Sequence, residues 1–567
     1  MIPSEFFEPA SDVRPTPGPA ARAWDAAAVW VAVALTATPW LVLIGPAVWR
    51  GGPGSSFGDV ASTEVGVQNA LKLHQALGPY DRFGWFHPGP ALFYVLAGPY
   101  ALLGHNAIGL AVAACLVNMI SAMVIVALVG RRAGPKVALA SAGVVLVFMA
   151  MIGVPDMRDV WSPMVITFPA ALFVVLCVDT ACGGTWSAVG AVGVGVFLVQ
   201  TEVGLLPVVI FALAATLVLR LAHPRRRGAT LADRLRRRPV LLAIASAVLL
   251  AAAMWAPPLI QQVRGRPGNL SSIFDFFTSH QGHHQLSTAF NGLANGMLLS
   301  FGPHLLPAVP SPLSGYGTQF EVLLGLVVLV CAVSAYRRQR YGLLLGAAAL
   351  VLAAVYGFGL TRAEGNVGGY LVVWTRGLTL CAALGAMIAL FGAPTADRRR
   401  ASGPNMGRGW RRLGAVALAA TLVALSGFET SIVGRSPLRD YFATVRIAAA
   451  AVRRLVPPER RRVLVCIGSP VAWAHAAGVI ADLRRNGEWD VRVPAPWLHT
   501  FGAELTPTGH EREVLFVEIH GPARPWPLTP VSTTAAGGLD LAAYAVPDGA
   551  AAPGACPGAP GAAPIAS

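Results

Sequence analysis

Most of the side chains that could do chemistry in this 567-residue chain lie in one stretch, Gly58 to Gly104. It carries two carboxylates, Asp59 and Glu64, followed by Arg82 and His87. A carboxylate can take a proton from a hydroxyl group, and arginine and histidine side chains can hold an anionic group. The stretch therefore indicates acid-base chemistry next to an anion.

Three other places carry polar residues at the ends of apolar runs. They are Asp156, Arg158 and Asp159; Glu202; and Glu364, Tyr370 and Arg376. An acid or an arginine close to hydrocarbon is costly and tends to be functional or paired, so we expect Arg376 to meet a lipid phosphate or an acid such as Glu364. For the first group, a short charged turn between two helices is an equally ordinary interpretation.

The composition is that of a membrane protein. Hydrophobic residues make up 55% of the chain and charged residues 13%, with a mean hydropathy of +0.59. The net charge of +15 comes from arginine clusters between apolar runs, which is the pattern of cytoplasmic loops and argues against nucleic-acid binding. The seven cysteines form no CxxC pair and lie mostly in apolar runs, so we expect small core residues without disulfides or a metal cage.

The apolar runs predict about eleven membrane-spanning helices, with the N-terminus cytoplasmic and the C-terminus outside. The expected spans are 26–48, 107–130, 137–154, 164–181, 186–201, 203–221, 240–256, 321–336, 343–360, 369–391 and 413–428. The run 90–103 is too short to cross, and its crossing would place Arg131 and Arg132 outside. We therefore expect it to lie in the outer interface.

The remaining segments divide the chain into regions. Residues 1–23 are expected to be a disordered cytoplasmic arm and 548–567 a disordered tail. The transmembrane domain, 24–430, has outer loops at 49–106 and 257–318 with interfacial helices. Residues 431–547 read as a small extracytoplasmic α/β domain that covers the outer face or binds a partner. The HQGHH run at His280 is interpreted as a solvated loop rather than a zinc site.

The strings RFGWFHPGPALFY, WSP at Trp161 and QTEVG at Gln200, with GDVASTE around Asp59, resemble the GT-C superfamily of integral membrane glycosyltransferases. The similarity is to its aminoarabinose transferases and protein O-mannosyltransferases, and to uncharacterised actinobacterial-type membrane proteins. It covers roughly residues 58–207. It implies an all-α polytopic fold in the plasma membrane and transfer of a sugar from a polyprenyl-phosphate donor to a cell-envelope glycan, lipid or protein.

The resemblance also implies roles for individual residues. Asp59 would be the general base, with a helix cap as the structural alternative, and Glu64 would orient the acceptor or a metal. The donor phosphate would be held by Arg82, His87 and Arg376. The residues Asp156, Arg158, Asp159, Glu202, Glu364 and Tyr370 would complete the substrate site.

Two departures from the family pattern leave the divalent metal ion open. Asp59 is followed by Val60 rather than by a second acid, and Ser162 stands where an acid often begins the following span. Two other functions also stay open at this point. One is a transporter or flippase of an anionic or lipid-linked substrate, and the other is a scaffold without catalysis.

Overall fold

The structure is a computed structural model that describes residues 19–50, 54–222, 238–280, 282–298, 317–392, Cys556, and 439–546 without 470, 486, 520–531 and 537. Nine of the helices in these ranges are long and apolar enough to cross a membrane. They are Asp25–Gly45, Ala107–Ala133, Pro135–Ile152, Ser162–Ala181, Val203–Leu221, Arg238–Arg264, Gly317–Tyr336, Arg340–Leu360 and Gly369–Phe391. The chain is thus a multi-pass membrane protein.

These nine helices agree with nine of the eleven predicted spans, and a shorter helix agrees with a tenth. The tenth is Trp186–Thr201, an apolar helix of 16 residues that packs beside its neighbours in the bundle. The eleventh predicted span, 413–428, lies outside the described residues. The first helix begins at Pro19, so part of the expected N-terminal arm is helical.

The segments predicted as outer loops contain short helices. Residues 49–106 form Gly58–Leu71 (α2) and Ala91–Leu102 (α3). At about 1.5 Å per residue, the 12 residues of α3 reach only about 18 Å, well short of a bilayer. The second loop holds Asn269–Ser279 and Leu286–Leu298, and it begins later than expected because the preceding helix continues through two prolines to Arg264.

A five-stranded mixed sheet forms the C-terminal part of the described chain. Its strands are Arg462–Ile467 (β1), Asp490–Arg492 (β2), Glu513–Ile519 (β3), Ser532–Ala536 (β4) and Leu539–Ala545 (β5), in the order β2-β1-β3-β5-β4. β1 is parallel to β2 and β3, whereas β5 is antiparallel to β3 and β4. The apolar runs VLVCIG, WDVRV, VLFVEI and LAAYAV predict β1, β2, β3 and β5. The sequence STTAA of β4 lacks an apolar run, so this strand was not predicted.

Helices Arg439–Leu455 and Trp473–Arg484 join this sheet in one apolar core. Two fully buried residues of α2, Ala61 and Val65, belong to the same core. The opposite side of α2 approaches α3 closely, since a Cβ on Gly66 would lie 2.5 Å from the ring of Phe93. Helix α2 is therefore a shared element between the membrane helices and the α/β region.

One prediction about the cysteines is wrong. Cys466 on β1 and Cys556 in the tail form a disulfide across a sequence separation of 90 residues. Both were interpreted as small core residues because neither has a partner at a short spacing. Apart from Cys556, the tail predicted to be disordered lies outside the described residues.

Candidate active site

A hairpin between α2 and α3 positions the polar residues of the first outer loop. The amide of Gly78 donates to the carbonyl of His87 at 2.9 Å, and the amide of His87 donates to that of Pro79 at 2.8 Å. Tyr80 and Phe86 form an antiparallel bridge, and the side-chain amide of Asn269 pairs with both backbone groups of Phe86. The hairpin thereby holds the 80–87 segment rigidly against the outer helices.

The strings HPGP and QTEVG, which are far apart in the sequence, meet at this hairpin. The backbone amide of Val203 donates to Nδ1 of His87 at 3.1 Å. The side chain of Gln200 accepts from the amide of Ala91 at 3.3 Å and donates to the carbonyl of Met254 at 2.8 Å. A Cβ at Gly89 would lie 2.4 Å from Cδ of Gln200, so a side chain there would displace the amide of Gln200 from its present position.

A cavity of about 250 Å³ opens between the hairpin, the membrane helices and the α/β region. From the first outer loop it is lined by Asp59, Tyr80, Asp81, Arg82 and His87. The membrane helices and their connections add Trp161, Glu202 and Tyr370, and the α/β region adds Trp473, His499, Thr500 and Phe501. The structure therefore brings together five of the residues predicted from sequence: Asp59, Arg82, His87, Glu202 and Tyr370.

Asp59 lies in the first turn of α2, with its carboxylate directed to the hairpin. The hydroxyl of Tyr80 donates to Oδ1 of Asp59 at 2.5 Å. Within the described residues, Oδ2 has no hydrogen-bond partner. Burial raises the pKa of Asp59 above its usual value, although the Tyr80 hydrogen bond acts in the opposite direction. A carboxylate with a raised pKa is a better proton acceptor than a solvated aspartate.

His87 is neutral in this environment. Its Nδ1 accepts a backbone hydrogen bond from Val203, so the ring proton is on Nε2, which lies 3.6 Å from Oε2 of Glu202. Burial lowers the pKa of His87 to about 3. His87 can therefore donate a hydrogen bond from Nε2 but cannot supply a positive charge at neutral pH.

The other acids around the cavity also have raised pKa values. Burial raises the pKa of Glu202 to about 8, with a contribution from the charge of Asp81. Burial likewise raises the pKa of Asp81 to about 6, and that of Asp159 to about 6. Asp159 does not line the cavity, but the charges of Asp156 and Asp59 contribute to its shift. Protonation of Glu202 near neutral pH reduces the negative charge that an anionic ligand would meet.

Arg82 is the cation of the cavity wall, where no other Lys or Arg is found among the described residues. Its Nη2 donates to the carbonyl of Asn366 at 3.3 Å, and its guanidinium lies 5.9 Å from the ring centroid of Tyr370. The ring of Tyr370 in turn packs against that of Trp161, with centroids 5.7 Å apart. This end of the cavity combines one positive charge with aromatic surface.

Glu64 is placed away from the cavity, against the role predicted for it. Its carboxylate is fully buried and accepts from Nε and Nη2 of Arg485 at 2.7 and 3.0 Å, from Tyr100 at 2.8 Å, and from Ser56. All its oxygen lone pairs are directed to the protein. The structure thus makes Glu64 a connection between α2 and the α/β region rather than a ligand of substrate or metal.

Arg376 is paired with an acid, which was one of the two predicted alternatives, and the acid is Asp156 rather than Glu364. Nη1 of Arg376 donates to Oδ2 of Asp156 at 2.6 Å, and the arginine is 4% exposed. Glu364 contributes only its backbone carbonyl, which lies 3.5 Å from Nη2 of Arg82. Neither Arg376 nor Arg158 lines the cavity. The charge of Arg376 is therefore already compensated without a lipid phosphate.

The described residues offer little to a metal ion. In these ranges no three or more His, Cys, Asp or Glu side chains are arranged to hold one. The acids Asp59, Asp81 and Glu202 share the cavity but do not form such a set. We therefore assign no chemical step to a metal.

Sequence reasoning assigned no site role to several residues of the cavity, among them Tyr80, Asp81, Trp473 and His499. Tyr80 and Asp81 belong to the stretch that was singled out, but nothing in their spacing indicates that Tyr80 reaches Asp59. Trp473 and His499 lie in the α/β region, where no catalytic motif was found. Their approach to the cavity depends on the packing of α2 against the helix Trp473–Arg484, which local patterns do not reveal.

Known structures share this architecture. ArnT from Cupriavidus metallidurans bound to undecaprenyl phosphate superposes with a TM-score of 0.56 at 15% identity, over 91% of this chain and 97% of that chain. The apo state of ArnT gives a TM-score of 0.54 at 14% identity, over 92% and 98%. No family model and no curated protein matches the sequence. ArnT is an aminoarabinose transferase with the GT-C fold, so the fold predicted from the motifs is confirmed.

Proposed function

We propose that this protein transfers a sugar from a polyprenyl-phosphate donor to an acceptor hydroxyl on the outer side of the plasma membrane. The observation that carries the proposal is the shared cavity of Asp59 and Arg82 at the end of the membrane helices. One supplies a carboxylate with a raised pKa and the other a positive charge. The fold shared with a protein crystallised with undecaprenyl phosphate supports the same conclusion.

Asp59 acts as the general base in this proposal. Its Oδ2 takes the proton of the acceptor hydroxyl while Tyr80 holds Oδ1. The acceptor oxygen then forms a bond to the anomeric carbon of the donor sugar, and the bond from that carbon to the phosphate oxygen breaks. The leaving group is polyprenyl phosphate, which gains one negative charge.

Arg82 stabilises that charge, and the neutral residues beside it limit repulsion. A guanidinium binds phosphate oxygens through charge-assisted hydrogen bonds. His87 adds a hydrogen bond from Nε2, and protonated Glu202 adds no negative charge below its pKa of about 8. Arg376 has a positioning role, because its ion pair with Asp156 fixes the loop that precedes Trp161.

The orientation follows from charge and redox chemistry. The arginine-rich connections between spans favour the cytoplasm, and the cavity lies at the opposite ends of the helices. The disulfide of the α/β region favours an oxidising compartment. Both support a cavity on the outer side, where a flipped lipid-linked donor and an envelope acceptor are available.

The test is sugar transfer in membranes that contain the full chain, with a panel of radiolabelled prenyl-phosphate sugars. The Asp59→Asn variant removes the base and keeps the size of the side chain, so transfer should fall by about 100-fold or more. Asp275→Asn is the matched control, because Asp275 is exposed on an outer helix and does not line the cavity. Transfer by Asp59→Asn at the control rate would remove Asp59 as the base.

A further inference from the structure

We infer that the α/β region supplies the acceptor half of the cavity and that the acceptor is an uncharged carbohydrate stacked on Trp473. The inference rests on the proposed function, which it deepens by naming the acceptor class and the side chains that select it. It is carried by the contacts of Trp473 and His499 with Tyr80 and by the charges of the surrounding cavity wall.

Trp473 and His499 flank the residue that holds the base. The ring centroid of Tyr80 lies 6.4 Å from the ring centroid of Trp473 and 6.3 Å from that of His499, with interplanar angles of 81° and 78°. The same Tyr80 donates to Asp59 at 2.5 Å. A molecule that contacts Trp473 and His499 is therefore one side chain away from Oδ2 of Asp59, where the acceptor hydroxyl must lie.

Side-chain hydrogen bonds join the α/β region to α2. The aromatic wall formed by Trp473 and His499 therefore has a fixed position. Arg485 binds both oxygens of Glu64, and the side chain of Gln68 donates to the carbonyl of Ala481 at 2.9 Å. Nη2 of Arg484 donates to Oδ1 of Asn69 at 2.8 Å. These contacts join the helix that begins at Trp473 to the helix that begins beside Asp59.

The charges of the wall favour a neutral acceptor. Among the described residues, the α/β region contributes Trp473, His499, Thr500, Phe501 and Gly502 to the cavity, and none of them is Lys, Arg, Asp or Glu. The positive charge of Arg82 is at the end formed with Tyr370 and the Asn366 carbonyl. An anionic acceptor would have no cation to bind on the side of the cavity formed by the α/β region, whereas Arg82 can bind the donor phosphate.

The polar atoms of the wall suit a ring that carries hydroxyl groups. Nδ1 of His499 donates to the carbonyl of Pro496 at 2.7 Å, so in the neutral imidazole Nε2 is an acceptor. The hydroxyl of Thr500 lies 3.3 Å from this Nε2. An aromatic ring offers an apolar face to the C–H groups of a sugar. The hydroxyl of Thr500 donates to Nε2 of His499, which directs the threonine oxygen as an acceptor for a sugar hydroxyl.

The experiment measures acceptor binding separately from transfer. The full chain in nanodiscs is titrated with a panel of mannose, arabinose, glucose and rhamnose oligosaccharides, with a serine- and threonine-rich peptide, and with undecaprenyl phosphate. Binding is followed by native mass spectrometry. We expect at least one oligosaccharide to bind the wild type. Its affinity should fall tenfold or more in Trp473→Ala and stay within threefold in Trp473→Phe, which keeps an aromatic face.

The controls separate this inference from the proposed function. Arg82→Ala should weaken undecaprenyl phosphate and leave the oligosaccharide within threefold, whereas Trp473→Ala should do the reverse. His499→Ala should weaken the oligosaccharide, and His510→Ala, exposed in the same region, should not. Binding of the peptide alone, of no oligosaccharide, or of the oligosaccharide equally to Trp473→Ala would overturn the inference. None of these results would affect sugar transfer that depends on Asp59.

Discussion

The pair formed by Asp59 and Tyr80 sets the proton affinity of the site. Burial raises the pKa of the carboxyl group, because the charged form loses hydration, and the hydroxyl of Tyr80 partly restores the charged form by a hydrogen bond. The pKa of Asp59 is thus determined by two opposing effects. It becomes protonated at a higher pH than an ordinary aspartate does, and in the proposed mechanism this protonation sets the acid limit of activity.

Removal of the Tyr80 hydroxyl should therefore move this acid limit. In Tyr80→Phe the carboxylate of Asp59 loses the hydrogen bond that favours its charged form, so its pKa rises further and transfer declines at a higher pH than in the wild type. The measurement is the pH profile of transfer under subsaturating acceptor, from pH 4 to 8. Above the new pKa the rate should recover to within about tenfold of the wild type.

Two outcomes would contradict this account of Tyr80. An unchanged acid limit would mean that Tyr80 does not act on Asp59, and a shift to lower pH would reverse the sign of the hydrogen bond's effect. Tyr94→Phe serves as the control, because the hydroxyl of Tyr94 donates to the carbonyl of Gln75 and makes no contact with Asp59. That variant should keep the wild-type profile.

Helix α2 is the element on which the cavity depends, because it belongs to two packed units at once. Its first turn carries Asp59, and its buried residues Ala61 and Val65 lie in the core of the α/β region. The ion pair of Glu64 with Arg485 joins residues 421 positions apart in sequence. Both side chains are nearly excluded from water, with exposures of 0% and 11%.

Breaking this ion pair should destabilise the protein strongly. Glu64→Gln leaves the guanidinium of Arg485 with Asp482, 3.1 Å away, as its remaining counter-charge. Loss of one partner of a buried pair costs about 3–5 kcal/mol, and we expect the lower end of that range here. Thermal unfolding in detergent should show a lower midpoint. The double variant Glu64→Gln/Arg485→Gln should lose less than the sum of the two single variants, since neither charge is then left alone.

An exposed ion pair of the same region provides the control for Glu64. Arg461 and Glu488 are 2.9 Å apart, and Glu488 is 55% exposed, so Glu488→Gln should cost no more than about 1 kcal/mol. Equal midpoints for Glu64→Gln and Glu488→Gln would contradict the connection that we assign to Glu64. A normal midpoint with lost transfer would instead return Glu64 to a direct role in the chemistry.

The spans and strands could be predicted because they depend on local patterns. Runs such as 107–130 or VLVCI at Val463 carry their own signal of apolar length and residue type. The motif RFGWFHPGP and the acids near it also indicated that the first outer loop carries the site. Local patterns could not show which of the two acids lines the cavity. Asp59 and Glu64 have similar sequence surroundings, and only the contact of Glu64 with Arg485 of the α/β region distinguishes them.

The same limit applies to the whole molecule. The disulfide between Cys466 and Cys556 and the aromatic wall of Trp473 and His499 both depend on contacts between distant parts of the chain. No short-range pattern of residues in a single sequence predicts such contacts. The orientation that we propose puts the disulfide, the α/β region and the cavity on the outer side, and the arginine-rich connections on the inner side.

The sidedness of the molecule is testable with single cysteine substitutions. His510 in the α/β region and Arg338 between two spans are both exposed, so a cysteine at either place can react. In intact cells, a membrane-impermeant maleimide should label His510→Cys, and it should label Arg338→Cys only after permeabilisation, with the unsubstituted chain as background. After denaturation, reductant should expose two further thiols beyond those of Cys115, Cys177, Cys182, Cys331 and Cys381. Labelling of Arg338→Cys alone would invert the orientation and place the cavity where no flipped lipid donor could enter it.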